Sequence, residues 1–425
     1  MSPDAIVIGS GVGGLCAGAR LGDAGWNVTL FERMRGVGGR WSSRRVDGFI
    51  LPTGAFLIAL DDPLADTFAA LGLPFPVRPI PERTVYLVGG EIVETGDRGG
   101  LRALVGAGSR LDGSDPDAVL AAVHAGLKGD DTSTQPLDQW LRRGGAGDQV
   151  VAVFHAMVQA FMALNSHEVP ANAFFEYLRA SAGRGKHGIP PGGSQELAET
   201  LSAGIKDRGG TVECGASVQE ITVEDGRARG VRLRDGRELT ADLVISDIGI
   251  EATTGLLGEA ARLLSGEMVR PGAPGVTAFI ASPRPLMDHT AVVVTGTRCV
   301  CLATTPTLVA PELAPDGWHV TETISTFRDS TDDREPAVER ERHFADMDDL
   351  FPDWRRDGRL LQVSTYRGTW PVYRSWPGRD AQERHPLPGL ALVGDSVKPP
   401  GFPGVGASAE SARLVVEAVL AGVPA

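Results

Sequence analysis

The stretch Ala5-Ile-Val-Ile-Gly-Ser-Gly-Val-Gly-Gly14 decides the fold of this chain. Its first four residues are an unbroken apolar run, which predicts a buried parallel strand. The residues that follow predict a helix over Gly13–Ala24, and Val28–Phe31 predicts a second strand with Glu32 at its end. A strand, a helix and a parallel strand within about thirty residues form one βαβ unit of a doubly wound sheet.

A glycine pattern of the form Gly-x-Gly-x-x-Gly joins the first strand to the helix. The first glycine allows a tight turn, the second lets the backbone approach a pyrophosphate, and the third lets the helix pack against the strand. The N–H groups at the helix N-terminus then face the phosphates. An acidic residue stands 23 positions after the first glycine, where a carboxylate accepts hydrogen bonds from a ribose, but the pattern does not distinguish NAD from FAD. The residues predicted to hold the dinucleotide are Gly9, Gly11, Val12, Gly13, Gly14 and Glu32.

A second glycine-rich segment, Gly36-Val-Gly-Gly-Arg-Trp-Ser42, follows this acidic residue. Its backbone is flexible, and Arg40 can pair with a phosphate through two parallel hydrogen bonds. The segment resembles the second fingerprint of the flavin-containing amine oxidase and phytoene desaturase superfamily, in which Gly-Gly-Arg follows the ribose-binding acid. The resemblance implies that the cofactor is FAD. The residues that it adds to the predicted FAD site are Arg33, Gly38, Gly39 and Arg40.

Two later stretches extend this resemblance. The block from Gly188 to Ser246 is similar to the central block of phytoene-desaturase-like proteins, in which the residue matching Val218 contacts the adenine portion through its backbone. The C-terminal segments Leu392–Ser396 and Gly404–Ser408 look like the last flavin motif of the family.

In that last motif, the acidic residue meets the ribityl or pyrophosphate region, and a helix N-terminus faces the flavin pyrimidine. A positive helix end at this place stabilises the anionic reduced flavin. The resemblance therefore implies four further contacts with FAD. They are Gly394, Asp395, Gly404 and Val405.

The pieces that resemble a dinucleotide-binding domain lie at the start, in the middle and at the end of the chain. We therefore predict an α/β protein with a discontinuous, FAD-binding, Rossmann-like doubly wound sheet domain and an α+β substrate domain. The FAD-binding domain comprises residues 1–59, 185–249 and 381–425, and the substrate-binding domain comprises residues 60–184 and 250–380. In the second domain, apolar residues at helical spacing predict a helix over 148–164.

Composition limits the classes of partner. The 425 residues carry 41 basic and 54 acidic side chains, so there is no basic surplus for a nucleic acid. No stretch approaches the ~20 apolar residues of a membrane span, which leaves only peripheral membrane contact open.

The four cysteines lack metal-ligand spacing, so no metal site is predicted. Their small number and an N-terminus without a signal segment indicate a cytoplasmic protein, whose oligomeric state the sequence does not indicate.

The resemblance implies an FAD-dependent oxidoreductase that transfers a hydride from its substrate to flavin N5. The leading hypothesis is a desaturase or dehydrogenase for a mid-sized, largely apolar substrate, because the chain is shorter than the carotenoid desaturases of the family. No second dinucleotide pattern is present, so oxygen, a quinone or a carrier is expected to reoxidise the flavin. The catalytic residue is not identified. The candidates are His155, Tyr366, Arg367 and Tyr373.

Two alternatives remain open. An amine oxidase acting on a C–N bond would use aromatic side chains beside the flavin, and aromatic residues within 366–376 stand shortly before the last flavin motif. Packing in the core explains the same aromatic cluster equally well. Escort and GDP-dissociation-inhibitor proteins share the architecture but hold no flavin. The residues Glu32, Arg40 and Asp395 argue against that non-enzymatic class.

Overall fold

The computed structural model describes residues 2–422 apart from 82, 96–99, 130–132, 183, 185, 264–271, 331–335, 375, 379–383 and 403. The described helices are α1 (Val12–Asp23), α2 (Pro63–Ala70), α3 (Gly100–Asp112), α4 (Pro116–Lys128), α5 (Leu137–Arg143), α6 (Asp148–Met162), α7 (Ala171–Ala180), α8 (Ser194–Asp207), α9 (Ile250–Leu257), α10 (Pro336–Leu350), α11 (Trp354–Asp357) and α12 (Gly404–Leu420). The described strands are β1 (Asp4–Ile8), β2 (Asn27–Glu32), β3 (Ser43–Val46), β4 (Phe49–Pro52), β5 (Ile58–Ala59), β6 (Arg78–Pro79), β7 (Val85–Val88), β8 (Glu91–Val93), β9 (His187–Ile189), β10 (Thr211–Cys214), β11 (Val218–Glu224), β12 (Arg227–Leu233), β13 (Glu238–Thr240), β14 (Leu243–Ser246), β15 (Gly275–Ser282), β16 (Ala291–Val294), β17 (Val300–Thr304), β18 (His319–Thr326), β19 (Arg359–Tyr366) and β20 (Leu390–Leu392).

A parallel sheet in the order β10-β2-β1-β14-β20 organises the first part of the molecule. The predicted βαβ unit is confirmed as β1, α1 and β2. The sequence also predicts an amphipathic helix over Ser194–Asp207 and a strand over Thr211–Cys214, and both are confirmed, as α8 and β10. The chain runs outward from β1 to β10 on one side and then returns to form β14 on the other side. The strand order therefore reverses between β1 and β14, and the crevice at the carboxyl ends of these two strands is the place where such sheets bind ligands.

Two different layers cover the faces of this sheet. On one face, apolar side chains of β1, β2 and β14 pack against α1, α8 and α12. On the other face, alternate residues of the same strands pack against the antiparallel sheet β11-β12-β13. Each fully buried valine, leucine or isoleucine here contributes about 1.5–3 kcal/mol relative to an exposed one. Because both faces are covered, the strands are continuous apolar runs, as the sequence predicts.

A second sheet of seven strands, in the order β19-β15-β18-β17-β16-β7-β8, organises the rest of the molecule. It is antiparallel except for the parallel pair β16 and β7. Helices α4 to α7 pack together in one large apolar cluster against β16 and β17. On the opposite face of the sheet, α10 and α11 cover β15 and β17.

Helix α3 contains several glycines, and the sequence analysis does not predict it. A Cβ atom at Gly108 would lie 3.0 Å from the backbone N and Cα atoms of Val150, so the glycine permits close packing of α3 on α6. Glycine lowers helix propensity by about 1 kcal/mol, and here tertiary packing outweighs that preference. The helix predicted over 148–164 is found as α6, which ends at Met162 because Ala163 adopts a left-handed conformation.

The two sheets draw on different parts of the sequence. All five strands of the parallel sheet lie within residues 1–59, 185–249 and 381–425, and all seven strands of the second sheet lie within 60–184 and 250–380. The domain boundaries stay predictions, and residues 185 and 381 lie outside the described residues. Within the described part of the chain, none of the helices has the length and apolar character needed to cross a membrane.

Candidate active site

The glycine loop after β1 forms a tight cradle at the crevice between β1 and β14. A Cβ atom at Gly14 would lie 2.2 Å from the carbonyl oxygen of Gly9, so this glycine lets α1 approach the strand. A Cβ atom at Gly11 would lie 2.4 Å from Oδ2 of Asp247. Helix α1 begins at Val12 and points its N-terminus into the cradle, where backbone N–H groups and the helix dipole favour an anion. The cradle therefore fits a pyrophosphate group.

Glu32 is buried at the carboxyl end of β2 and is bonded to this loop. Its Oε2 accepts hydrogen bonds from the backbone N–H of Ser10 at 2.9 Å and from the hydroxyl of Ser10 at 2.6 Å. Its Oε1 accepts a bond from the N–H of Met34 at 2.7 Å. The N–H of Gly38 donates to the carbonyl of Ser10 at 2.9 Å, which brings the second glycine segment to the same edge. Gly39 follows with a positive φ and open space at its Cβ position.

Val218 is held near this edge by the backbone of the preceding residues. The N–H of Gly215 donates to the carbonyl of Met34 at 2.8 Å, and the N–H of Ala216 donates to that of Glu32 at 2.9 Å. These bonds anchor the start of β11 at the carboxyl end of β2. Arg33 is the residue that follows β2, and its side chain is exposed.

Arg40 binds the last glycine motif directly. Its Nη2 lies 2.7 Å from Oδ1 and 2.8 Å from Oδ2 of Asp395, and its Nη1 donates to the carbonyls of Pro371 at 3.3 Å and Val372 at 3.2 Å. The N–H of Arg374 donates to Oδ2 of Asp395 at 2.9 Å. Burial would raise the pKa of Asp395, but Arg40 and Arg374 outweigh it and hold this pKa below its usual range. Asp395 is therefore a stable carboxylate between two guanidinium groups.

Asp247 is a member of this site that the sequence analysis does not identify. It follows β14 directly, and its carboxylate lies against the glycine loop and Gly394. Burial raises its pKa to about 7, and the Asp395 charge adds to this rise, whereas the N–H of Gly14 and the two arginines lower it. The signal in the sequence is an acidic residue directly after an apolar parallel strand, because such strands end at the same edge of the sheet.

The start of α12 is capped by a tyrosine. The N–H of Gly404 donates to Oη of Tyr373 at 2.8 Å, and that hydroxyl donates to the carbonyl of Phe402 at 3.4 Å. The sequence predicts a helix over Ser408–Leu420, but the helix begins one turn earlier, so Gly404 and Val405 form its first turn. The prediction of the helix start was wrong because the glycines conceal the helical pattern.

The four candidates for catalysis do not come together. Oη of Tyr366 donates to the carbonyl of Thr53 at 3.0 Å, and burial, followed by the charge of Glu322, raises its pKa to about 12. Arg367 lies in an exposed turn beyond the end of β19. His155 lines a separate cavity of about 700 Å³, and none of the described residues lining it comes from the parallel sheet or its glycine loops. Burial lowers the pKa of His155 to about 4, so it is neutral at physiological pH.

A buried carboxyl, that of Glu322, acts on Tyr366 through its charge. Glu322 of β18 is 3% exposed, and its Oε2 has no hydrogen-bond partner among the described residues. Burial raises the pKa of this group well above its usual value. Tyr366 in turn donates to the carbonyl of Thr53, and Oγ1 of Thr53 donates to the carbonyl of Arg40 at 3.3 Å, in the second glycine segment. The sequence carries no signal for Glu322, because a glutamate within a strand ordinarily faces solvent.

A crevice separates helices α6 and α7 from the last glycine motif. Most of the described side chains that line it are apolar or aromatic, and Glu176 and Lys398 are the charged ones among them. The apolar and aromatic residues along it include Met162, Ala173, Tyr177, Tyr373 and Phe402.

Comparison with known proteins identifies the family. The family model of flavin containing amine oxidoreductases matches residues 12–420. A phytoene desaturase (neurosporene-forming) from Rhodobacter capsulatus is 29% identical over 278 residues, which cover 57% of this chain and 52% of that protein. The chain thus spans about half the length of the curated phytoene desaturases that it matches.

Solved structures agree with this assignment. An oxidoreductase from Methanosarcina mazei has a TM-score of 0.86 and 28% identity, with 97% of this chain and 100% of that chain covered. Putrescine oxidase bound to putrescine has a TM-score of 0.70 at 16% identity, covering 99% of both chains, and shows the fold alone. The glycine cradle fits the pyrophosphate of FAD, which is the cofactor of the family. The chain therefore belongs to the flavin-containing amine oxidoreductase family.

Proposed function

We propose that this protein is a desaturase or dehydrogenase that removes a hydride from a mid-sized, largely apolar substrate. Bound FAD supplies the hydride acceptor. The observation that carries the proposal is the apolar lining of the crevice, a narrow space of about 20 Å³ in the free protein, where Met162, Ala173, Tyr177 and Phe402 lie next to the last flavin motif. The resemblance to proteins named phytoene desaturase supports an apolar substrate.

The residues around the cradle hold the cofactor in this proposal. The glycine loop and the N-terminus of α1 bind the pyrophosphate, Glu32 binds a ribose, and the backbone at Val218 contacts the adenine portion. Asp395, fixed by Arg40, orients the ribityl or pyrophosphate region, and the first turn of α12 faces the flavin. Oxygen, a quinone or a carrier then takes the electrons.

The protein's own groups bind and orient the substrate. Apolar side chains exclude water from the reacting C–H bond and hold it close to the flavin, which lowers the barrier through positioning. Tyr366 and Tyr373 use their hydroxyl groups to bind backbone atoms, so they shape the site and transfer no proton in this proposal. A neutral His155 lies in another cavity and has no part in the reaction.

Anaerobic reduction of the bound flavin tests the substrate class. We expect isoprenoid or other apolar substrates to bleach the flavin absorbance, and NADPH alone to leave it unchanged. Ala173→Leu should fill the crevice and slow this reduction at least tenfold while the bound FAD is retained. Ala121→Leu on the exposed face of α4 is the matched control and should keep the wild-type rate. Rapid stoichiometric reduction by NADPH would contradict the proposed acceptor.

An amine oxidase is the second candidate, and Glu322 is the observation that favours it. A buried carboxyl whose Oε2 lacks a hydrogen-bond partner among the described residues can recover its charge by pairing with a substrate ammonium group. A panel of amines tests this candidate through the release of hydrogen peroxide. If amines are substrates, Glu322→Gln should raise their KM much more than it lowers kcat, and the bound FAD should be unaffected.

A further inference from the structure

Asp247 occupies the position in the parallel sheet where the strand order reverses. It follows β14, and the glycine loop follows the neighbouring strand β1, so both reach the same ligand-binding crevice. Cβ atoms at Gly13 and Gly394 would lie 2.7 Å and 2.4 Å from its Oδ1, and one at Gly11 would lie 2.4 Å from its Oδ2. The carboxyl therefore lies against two glycines of the loop after β1 and against Gly394 of the last glycine motif.

The two arginines near Asp247 are already bound to another acid, Asp395. Arg40 and Arg374 both contact Asp395, and they leave Oδ2 of Asp247 buried with no hydrogen-bond partner among the described residues. The other titratable group of α1 near Asp247 is Cys16, whose thiol is neutral because burial raises its pKa to about 12. The N–H of Gly14 bonds to the carboxyl of Asp247, but its Oδ2 is buried without a partner among the described residues. Such an oxygen in a cradle for an anion is an unusual arrangement, because two negative groups in one low-dielectric site repel each other.

The geometry points to a cofactor-binding role for Asp247: it binds FAD as the protonated carboxylic acid, and binding of FAD therefore takes up one proton. The neutral acid has an O–H group that can donate a hydrogen bond to an anionic oxygen, whereas the carboxylate would only repel it. This role rests on the assignment of FAD as the cofactor.

The electrostatics of the free protein are consistent with this role. Asp247 has a pKa of about 7 before any pyrophosphate is present, so it is close to half protonated at neutral pH. The two negative charges of the pyrophosphate raise that pKa further. Above about pH 7 the free protein must gain a proton on binding, so its affinity for FAD falls as the pH rises, by about tenfold per pH unit.

The test is the dissociation constant of FAD for the apoprotein, measured through flavin fluorescence between about pH 6 and about pH 9. We expect the wild-type affinity to fall by about tenfold per pH unit at the alkaline end, with proton uptake detected by an indicator dye in weak buffer. Asp247→Asn and Asp247→Ala should abolish both effects and bind FAD at the alkaline end at least as tightly as the wild type.

Asp62→Asn is the matched control. Burial also raises the pKa of Asp62, to about 6, but this residue caps α2 through the N–H of Leu64, and asparagine caps a helix equally well. The control should keep the wild-type pH dependence. A wild-type affinity that is independent of pH would overturn the inference, and so would folded Asp247→Asn protein that no longer binds FAD. Wild-type protein that binds no FAD at any pH would overturn the cofactor assignment itself.

Discussion

The guanidinium of Arg40 and the carboxylate of Asp395 form an ion pair between residues that lie 355 positions apart in the sequence. The pair joins the second glycine segment to the last one. Because Arg374 binds the same carboxylate, three separate stretches of the chain meet at Asp395. The proposed FAD site is thus assembled by contacts within the protein, and its charged groups already have fixed positions.

Removing one partner of this pair should destabilise the protein. Asp395→Asn leaves Arg40 and Arg374 without their carboxylate in a largely buried place, and we expect the free energy of unfolding to fall by about 3 kcal/mol. Chemical denaturation measures this change. Arg356→Gln is the control, because Arg356 and Asp353 form an exposed pair with 68% and 66% of their side chains accessible. Arg356→Gln should lower the free energy of unfolding by less than about 1 kcal/mol. Equal costs would contradict the structural role of the buried pair.

Gly11→Ala should abolish the binding of FAD. The added methyl group would lie 2.4 Å from Oδ2 of Asp247 and would occupy the cradle that faces the pyrophosphate. The FAD content of the purified protein measures the effect. Gly36→Ala is the matched control, since its Cβ position is open and its φ is not positive. The same contact with Asp247 should lower the free energy of unfolding of Gly11→Ala. The double variant Gly11→Ala/Asp247→Ala should recover this stability, but it should not recover FAD binding. Retained FAD in Gly11→Ala would contradict the position of the cradle.

Tyr366→Phe and Tyr373→Phe should affect stability more than catalysis. Each variant leaves a buried backbone group without its hydroxyl partner, at the carbonyl of Thr53 or at the N–H of Gly404. We expect each to lower the free energy of unfolding by about 1 kcal/mol. The rate of flavin reduction by substrate should change by less than about tenfold, because loss of a general acid or base costs about a hundredfold or more. A larger loss of rate in folded protein would make that tyrosine catalytic.

The protein should become less stable as the pH is lowered through the range in which a histidine of the unfolded chain takes up a proton. His343 is fully buried between the hydroxyls of Thr323 and Ser325, at 2.8 Å from each, and burial lowers its pKa to about 4. In the unfolded chain this side chain gains its proton near pH 6.5. Between these two values the unfolded state binds more protons, so stability falls as the pH falls, by up to about 1.4 kcal/mol per pH unit.

Denaturation curves at several pH values check this dependence. His343→Asn should have a shallower slope in this window, and the remaining slope should contain the contribution of His155, whose pKa is also lowered to about 4. His124→Asn, on the exposed face of α4, is the control and should keep the wild-type slope. An unchanged slope in His343→Asn would show that this histidine is charged in the folded protein.

Local patterns were sufficient to predict one part of the fold and of the site. The apolar run before Gly9 and the spacing of the glycines predict β1 and the start of α1, because these depend on neighbouring residues only. Helix α3 was not predicted, since its glycines are explained by contact with Val150 on another helix. The start of α12 was misplaced for the same reason: Gly404 begins a helix only because Tyr373 caps it.

The sequence by itself determined that a strand, a glycine turn and a helix form a unit of the dinucleotide-binding type, since the turn conformation and the helix dipole are local properties. The tertiary structure decided which charges surround that unit. Asp247 and Gly394 reach the glycine loop, and Asp395 lies next to them in the chain, because the parallel strands β14 and β20 end at the same edge of the sheet as β1. Both arginines pair with Asp395, which is therefore a carboxylate. Burial raises the pKa of Asp247, which is therefore about half protonated near neutral pH. Such a difference depends on distances across the folded chain, which spacing in the sequence does not contain.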